Sequence, residues 1–160
     1  MKRIFIILSA FFLLSCSEVP ESGPVEVKWD RDICVRCKMA LSDHYHSAQI
    51  RISKHKVHKF DDIGDAVLWL QENKKIKSNP NFEIWVNDHE TAKWIDAKKA
   101  FYIKENHTPM EFGFSASTKE TKNTINYQKM IEGIIAKEAY NLKRAREEYQ
   151  KRQKLLKDKK

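Results

Sequence analysis

The chain has 160 residues and a basic composition, with 30 Lys and Arg against 22 Asp and Glu. The excess is confined to the C-terminal stretch, because residues 137–160 contain ten basic and four acidic residues whereas residues 16–136 contain 18 of each. A neutral domain gives no reason to expect nucleic-acid binding, which needs a basic face on the folded part of a protein. The roughly 120 residues before the tail are enough for one hydrophobic core, so a single domain is predicted.

The first 15 residues have the pattern of a bacterial lipoprotein signal peptide. A short basic start is followed by apolar residues 4–14, a segment too short to cross a bilayer as a helix. Residues 13–16 read Leu-Leu-Ser-Cys and match a lipobox, in which cleavage before Cys16 leaves a cysteine that carries lipid. We therefore expect residues 1–15 to be removed and the protein to be held to a membrane through Cys16. Ordinary secretion with cleavage nearby, or an uncleaved anchor, is the alternative.

The rest of the chain divides into three predicted regions. Residues 16–27 combine the lipidated cysteine with a flexible tether, since this segment is rich in Pro, Ser, Glu and Gly. Residues 28–136 form the predicted folded domain, and residues 137–160 form a basic helical extension.

A sulfur-rich segment, Cys-Val-Arg-Cys-Lys-Met at residues 34–39, precedes the first predicted strand. Two thiols, Cys34 and Cys37, and the thioether of Met39 favour a soft metal ion, and Cu(I) is the ion that such ligands select. A further methionine, Met110, lies far downstream in a Pro-Met pair. We therefore predict a Cu(I) site that draws its sulfur ligands from both halves of the chain.

The two cysteines also have explanations that do not involve copper. An exported C-x-x-C pair can be a disulfide, or can serve thiol redox chemistry as in thioredoxin-like proteins, although such a motif normally begins a helix after a strand. A structural zinc site needs four ligands, and the chain has no second cysteine pair. Covalent haem attachment needs C-x-x-C-H, and Lys38 stands at the histidine position.

Two histidines, His44 and His46, follow the sulfur segment and would face the same side of a strand. Histidine is well tolerated at protein surfaces, so exposure without any ligand role is the alternative for both. His46 is kept as a candidate additional metal ligand.

Apolar alternation and helix signals predict a β-β-α-β unit in the first half of the domain. Residues 45–52 and 57–60 alternate as two strands of a hairpin. The acidic pair Asp61-Asp62 suits a helix N-terminus, and the apolar residues that follow it recur at helical spacing. Residues 82–88 alternate again and predict a third strand.

The second half is less regular. Residues 93–97 and 100–104 predict a further strand pair, with Met110 in the loop region beyond it, whereas the Ser/Thr/Lys-rich residues 115–123 give no prediction. From Tyr127 to about Leu156 the sequence favours one long helix.

The basic extension has two explanations. Its charge suits docking to anionic lipid head groups or to an acidic partner. The alternative is a solvated helix held by pairs four residues apart, such as Glu147 with Lys151 and Glu148 with Arg152.

Several short motifs follow one another along the chain: the lipobox and tether, C-x-x-C-x-M, Phe-Asp-Asp-Ile-Gly at 60–64, Trp-Leu at 69–70, a strand ending at Asp88, Trp-Ile-Asp-Ala at 94–97, an aromatic pair after Ala100, and Pro-Met at 109–110. In that order they resemble the NosL family, the lipoprotein accessory factors of nitrous oxide reductase. The resemblance covers roughly residues 13–117.

The resemblance implies a periplasmic, membrane-anchored Cu(I) chaperone that delivers copper for assembly of the copper-sulfide cluster of nitrous oxide reductase. Its partners would be the copper ion and the reductase or its assembly factors. The ligands that the resemblance implies are Cys37, Met39 and Met110. The chemistry of the neighbouring side chains adds Cys34 or His46 as a candidate further ligand. The implied fold class is α+β, with two small β-β-α-β-type units followed here by a long C-terminal helix. A periplasmic thiol-redox lipoprotein without metal is the alternative.

Two residues depart from the family pattern, because Lys38 and Glu111 stand where the family usually has glycine. The extension beyond residue 137 also lies outside that pattern. No nucleophile-base arrangement accompanies the thiols, so we do not expect an enzyme.

Overall fold

The computed structural model describes residues 20–104 and 107–157. The predicted signal peptide and Cys16 lie outside these residues. Within them the chain forms the following strands and helices in order: β1 (Ala48–Ser53), β2 (Lys56–Phe60), α1 (Ile63–Glu72), α2 (Lys74–Lys77), β3 (Glu83–Asn87), β4 (Trp94–Asp96), β5 (Phe101–Lys104), β6 (Phe114–Ser117), β7 (Thr124–Ile125) and α3 (Tyr127–Lys157).

The first sheet is antiparallel and has the strand order β2-β1-β3-β4. The predicted hairpin, helix and third strand are confirmed, with Ile50 of β1 opposite His58 on one side and Ile84 on the other. Ile50 and Ile84 are buried in the core that α1 covers. Apolar alternation predicted these strands correctly because one face of the sheet packs on that helix.

Part of the segment assigned to the tether lies against the other face of β1. The side-chain amide of Gln49 accepts a hydrogen bond from the Val25 N–H at 2.9 Å and donates one to the Val25 carbonyl at 2.8 Å. Arg51 Nε donates to the Gly23 carbonyl at 2.7 Å. Gln49 and Arg51 are therefore buried, and any free tether ends before these contacts begin.

The second sheet has the order β6-β5-β7, also antiparallel. The predicted pairing of residues 93–97 with residues 100–104 is wrong, because β4 pairs with β3 of the first sheet and β5 pairs with β6 and β7. A turn closed by the Ala100 N–H on the Asp96 carbonyl carries the chain from one sheet to the other. The fold class is confirmed as α+β, with two small antiparallel sheets and a long C-terminal helix.

Helix α3 is continuous over 31 residues, but only its first part packs on the domain. Met130 and Ile134 are fully buried, whereas every residue from 139 to 157 is exposed. The glutamates of the exposed part pair one turn earlier than predicted, Glu147 with Lys143 and Glu148 with Arg144. None of the helices in the described part of the chain combines the length and apolar character needed to cross a bilayer.

Candidate metal centre

The sulfur-rich segment folds back on itself as a tight loop before the first sheet. The Cys34 N–H donates to the Met39 carbonyl at 2.8 Å, and the Lys38 N–H donates to the Cys34 carbonyl at 3.2 Å. Lys38 has a φ of 67°, in the left-handed region that favours glycine. The loop therefore keeps the backbone shape of a glycine loop even though a lysine occupies this position.

Four potential ligand side chains meet where this loop touches the junction of β2 and α1. The sulfurs of Cys34 and Cys37 and one carboxylate oxygen from each of Asp61 and Asp65 all lie within 4.8 Å of one another. Cys37 Sγ donates to Asp61 Oδ1 at 3.3 Å, and Cys34 Sγ donates to Asp65 Oδ2 at 3.3 Å. Cys34 and the two aspartates are buried, whereas Cys37 is partly exposed.

Burial controls the protonation of this cluster. It raises the pKa of the Cys34 and Cys37 thiols, and it raises the pKa of the Asp61 carboxyl as well. Both cysteines are free thiols. At neutral pH each sulfur therefore keeps its proton and uses it to hydrogen-bond a neighbouring carboxylate.

Arg36, between the two cysteines, fastens the loop to two helices. Its Nη1 lies 2.9 Å from Asp65 Oδ1, and its Nη2 lies 3.0 Å from Glu138 Oε1 on α3. Its Nε also contacts Glu72 at the end of α1, at 3.2 Å. Burial acts to lower the Arg36 pKa, but hydrogen bonds with these carboxylates raise it overall, so the guanidinium stays charged beside the cluster.

The loop that carries Met110 is fastened to the same junction by Asp62. This residue caps α1, because its Oδ1 accepts the Gly64 N–H at 2.7 Å. Its Oδ2 accepts the Thr108 hydroxyl at 2.6 Å and the Met110 N–H at 3.2 Å. Adjacent residues, Asp61 and Asp62, thus hold the Cys37 thiol and the Met110 backbone respectively.

Close packing reinforces this attachment of the Met110 loop. A Cβ added at Gly64 would lie 2.1 Å from a ring carbon of Phe112, so only glycine lets the ring rest on the first turn of α1. Glu111 has a φ of 55° and adopts the left-handed conformation, as Lys38 does in the other loop. Both residues that depart from the family pattern therefore keep the backbone shape that glycine would favour.

The predicted ligands occupy different environments. Met39 is 53% exposed, two residues after Cys37, whereas Met110 is partly buried and packs against the core. His46 lies outside the four-residue cluster, with Nδ1 at 2.9 Å from Asp43 Oδ2 and Nε2 at 3.0 Å from Ser115 Oγ.

Asp61 and Asp65 are candidate site residues that the sequence does not single out. The sequence pattern marks Asp61 only as part of a helix start. Asp61 lies just before the Asp62 cap and Asp65 lies in the first turn of α1, so no helical periodicity links the two, and the sequence carries no signal that both face the thiols.

The NosL family model matches residues 24–137. The chain belongs to the NosL family. Its fold is also similar to the crystal structure of the copper chaperone NosL from Shewanella denitrificans, with a TM-score of 0.50 and 16% sequence identity. That similarity covers 74% of this chain and 88% of the Shewanella protein, and at this identity it shows a shared fold alone. The comparison with curated proteins gives no match.

Proposed function

We propose that this chain is a periplasmic Cu(I) chaperone, anchored by lipid at Cys16, that delivers copper for assembly of the copper-sulfide cluster of nitrous oxide reductase. Membership of the NosL family and the shared fold with a protein described as a copper chaperone support a copper carrier rather than an enzyme. The lipobox supports the anchor. The role in assembling the reductase follows from the resemblance that the motifs carry.

One observation carries the copper proposal: two sulfur-bearing loops, distant in sequence, are fixed to neighbouring residues of one junction. Asp61 accepts the Cys37 thiol, and Asp62 accepts the Met110 N–H. Cys37, Met39 and Met110 would supply one thiolate and two thioethers, a soft ligand set that suits Cu(I).

Of the two additional candidates, Cys34 has more support than His46. The Cys34 sulfur belongs to the same cluster as the Cys37 sulfur, so a small movement would bring it to a shared ion. Both ring nitrogens of His46 already lie within hydrogen-bond distance of other side chains. We therefore place Cys34 ahead of His46 as a further ligand.

A chaperone must also release its cargo. The exposed Met39 and the partly exposed Cys37 give an acceptor protein direct access to two of the proposed ligands. Transfer would proceed by stepwise ligand exchange, in which the acceptor's ligands replace Met39 and Cys37 before Met110 dissociates from the ion.

Anaerobic Cu(I) titration against a chromogenic Cu(I) chelator tests the binding step. Wild type should hold about one Cu(I) per chain. Cys37→Ser should lose tight binding because the substitution removes the partly exposed thiolate of the proposed site. Cys16→Ser, which alters a cysteine outside the site, is the matched control and should bind as wild type does. Unchanged affinity in Cys37→Ser would rule out this site.

Delivery is tested in cells that make nitrous oxide reductase. Reductase isolated from cells that carry Cys37→Ser should contain less copper than reductase from wild-type cells, while the amount of reductase protein stays the same. An unchanged copper content in the reductase would refute delivery, whatever the binding measurements show.

A thiol-redox lipoprotein is the second candidate, because the two free sulfurs lie within 4.8 Å of one another and differ in exposure. This function needs no methionine. Cu(I) affinity that depends on Met110 would therefore favour the chaperone, and thiol-disulfide exchange without such affinity would favour redox chemistry.

A further inference from the structure

We infer that Cys34, Cys37, Asp61 and Asp65 form a second, divalent metal site, which takes an ion such as Zn²⁺ through two sulfurs and two oxygens. This goes beyond the copper proposal and does not depend on it, because it uses neither Met39 nor Met110. The two sites share Cys37, and they also share Cys34 where it serves as the further copper ligand, so an ion in one would exclude an ion from the other.

The donor set selects this class of ion. Carboxylate oxygens are poor ligands for Cu(I), whereas Zn²⁺ accepts thiolate and carboxylate in one site and imposes no geometry of its own. Two thiolates with two carboxylates complete a four-coordinate sphere. The lack of a second cysteine pair argued against zinc on the sequence alone. In the structure Asp61 and Asp65 supply the two remaining ligands.

The spacing of the four ligand atoms is near that of a tetrahedral site. Zn–S bonds near 2.3 Å and Zn–O bonds near 2.1 Å place neighbouring ligand atoms roughly 3.4–3.8 Å apart. The four atoms already lie within 4.8 Å of one another, and the contacts of Cys37 with Asp61 and Cys34 with Asp65 are both 3.3 Å. An ion would replace the two thiol protons, and the most widely separated ligand atoms would have to approach each other by about 1 Å or less.

The surroundings hold this donor set in place. Arg36 contacts Asp65 directly and brings one positive charge beside the four ligands, which offsets part of the negative charge left after a divalent ion binds. Three of the ligands are buried, and the partly exposed Cys37 gives the ion a route in. Both supporting segments are fixed, the loop by Arg36 and the helix start by the Asp62 cap.

Co²⁺ is the probe for this site, because its absorption reports both thiolate ligation and tetrahedral geometry. Anaerobic titration of the protein should give near-ultraviolet thiolate-to-Co²⁺ bands and visible bands of tetrahedral Co²⁺, saturating at about one ion per chain. Zn²⁺ should displace the Co²⁺ and remove both sets of bands. The lack of these bands at stoichiometric Co²⁺ overturns the inference.

Substitutions separate ligation by the carboxylates from mere hydrogen bonding to the thiols. Asp61→Asn and Asp65→Asn should each weaken Co²⁺ binding by at least about tenfold. Asp88→Asn, which alters a buried aspartate of another loop, should leave Co²⁺ binding unchanged. If the folded Asp61→Asn protein binds Co²⁺ as wild type does, the carboxylates are not ligands and the inference fails.

Two further variants keep the result independent of folding and of the copper proposal. Cys34→Ser should remove about half of the thiolate-to-Co²⁺ intensity, which tests the site even if Asp65→Asn does not fold. Met110→Leu should bind Co²⁺ as wild type does. Its Cu(I) affinity reports on the chaperone proposal separately, so failure of either proposal is distinguishable.

Discussion

The two thiols of the cluster face carboxylates instead of cations. Reactive cysteines are usually activated by a nearby positive charge or a helix N-terminus, which lowers the thiol pKa. Here burial raises the pKa of Cys34 and Cys37, and their nearest polar neighbours are Asp65 and Asp61. Such thiols are poor nucleophiles at neutral pH, which favours metal binding over thiol redox chemistry.

The raised thiol pKa values predict that Cu(I) affinity increases with pH. The ion binds the thiolate, so binding through Cys37 releases a proton, and the work of removing it falls as the pH approaches the raised pKa. Release of one proton per ion gives about tenfold higher affinity per pH unit, and release from Cys34 as well would double the slope on a logarithmic scale. Chelator competition between about pH 6 and pH 8 measures this dependence of Cu(I) affinity on pH. A flat profile would contradict protonated thiols in the metal-free protein.

Asp62 is predicted to matter for both stability and copper binding. Asp62→Ala removes the acceptor of three hydrogen bonds, from Gly64, Thr108 and Met110, and should lower the free energy of unfolding by about 3 kcal/mol. It should also weaken Cu(I) binding, because the Met110 loop loses its attachment. Urea unfolding and chelator competition measure the two effects.

The control for Asp62→Ala is Asp88→Ala. Asp88 is also a buried carboxylate, and it accepts hydrogen bonds from Thr91 and Thr118 in a different loop. Its replacement should lower stability without changing Cu(I) affinity. Equal losses of affinity in the two variants would show that Asp62 acts only through general stability.

Among the elements, α3 divides sharply into a packed and an exposed part. A chain that ends at residue 139 keeps the buried Met130 and Ile134 and the Arg36 contact with Glu138. Its free energy of unfolding should differ from wild type by less than about 1 kcal/mol, whereas Ile134→Ala should cost about 2–5 kcal/mol. Chemical denaturation of both proteins measures this. A large loss on truncation would show that the distal helix has a packing partner.

The same truncated protein tests what the distal helix does. If that segment is only a solvated helix, truncation leaves binding to anionic vesicles unchanged at low and high salt. Loss of salt-sensitive vesicle binding would support the lipid-docking explanation of its charge.

Elements with a regular apolar pattern could be predicted from the sequence, and polar ones could not. β1, β3 and α1 each bury one apolar face, so their periodicity was visible. β6 reads Phe-Ser-Ala-Ser and is buried throughout, a composition that carries no alternation. Its serines are buried by contacts with residues distant in sequence, and no local pattern predicts such contacts.

Pairing between elements was harder still to predict. β4 and β5 are separated by one short turn and were expected to pair, yet each belongs to a different sheet. Residues 16–27 were expected to form a flexible tether, yet Val25 and Gly23 hydrogen-bond the buried Gln49 and Arg51. In both cases the deciding contacts join residues distant in sequence, which composition does not encode.

For the molecule as a whole, the proposed sulfur ligands come from two structural units that the junction of β2 and α1 brings together. Cys37 and Met39 precede the first sheet, and Met110 lies between β5 and β6 of the second. The sulfur residues could be proposed from the sequence because their chemistry is distinctive. The aspartates could not, because carboxylates are common and only the fold shows which ones face a thiol.

The most direct test of the copper site compares Cu(I) affinity in wild type, Met110→Leu and Met130→Leu by anaerobic chelator competition. Leucine keeps the size of methionine and removes the sulfur, and Met130 is a core residue of α3 far from any proposed ligand role. We predict about one tightly bound Cu(I) in wild type and Met130→Leu, with affinity at least about tenfold lower in Met110→Leu. Equal affinity in all three proteins would contradict a copper site shared by both halves of the chain.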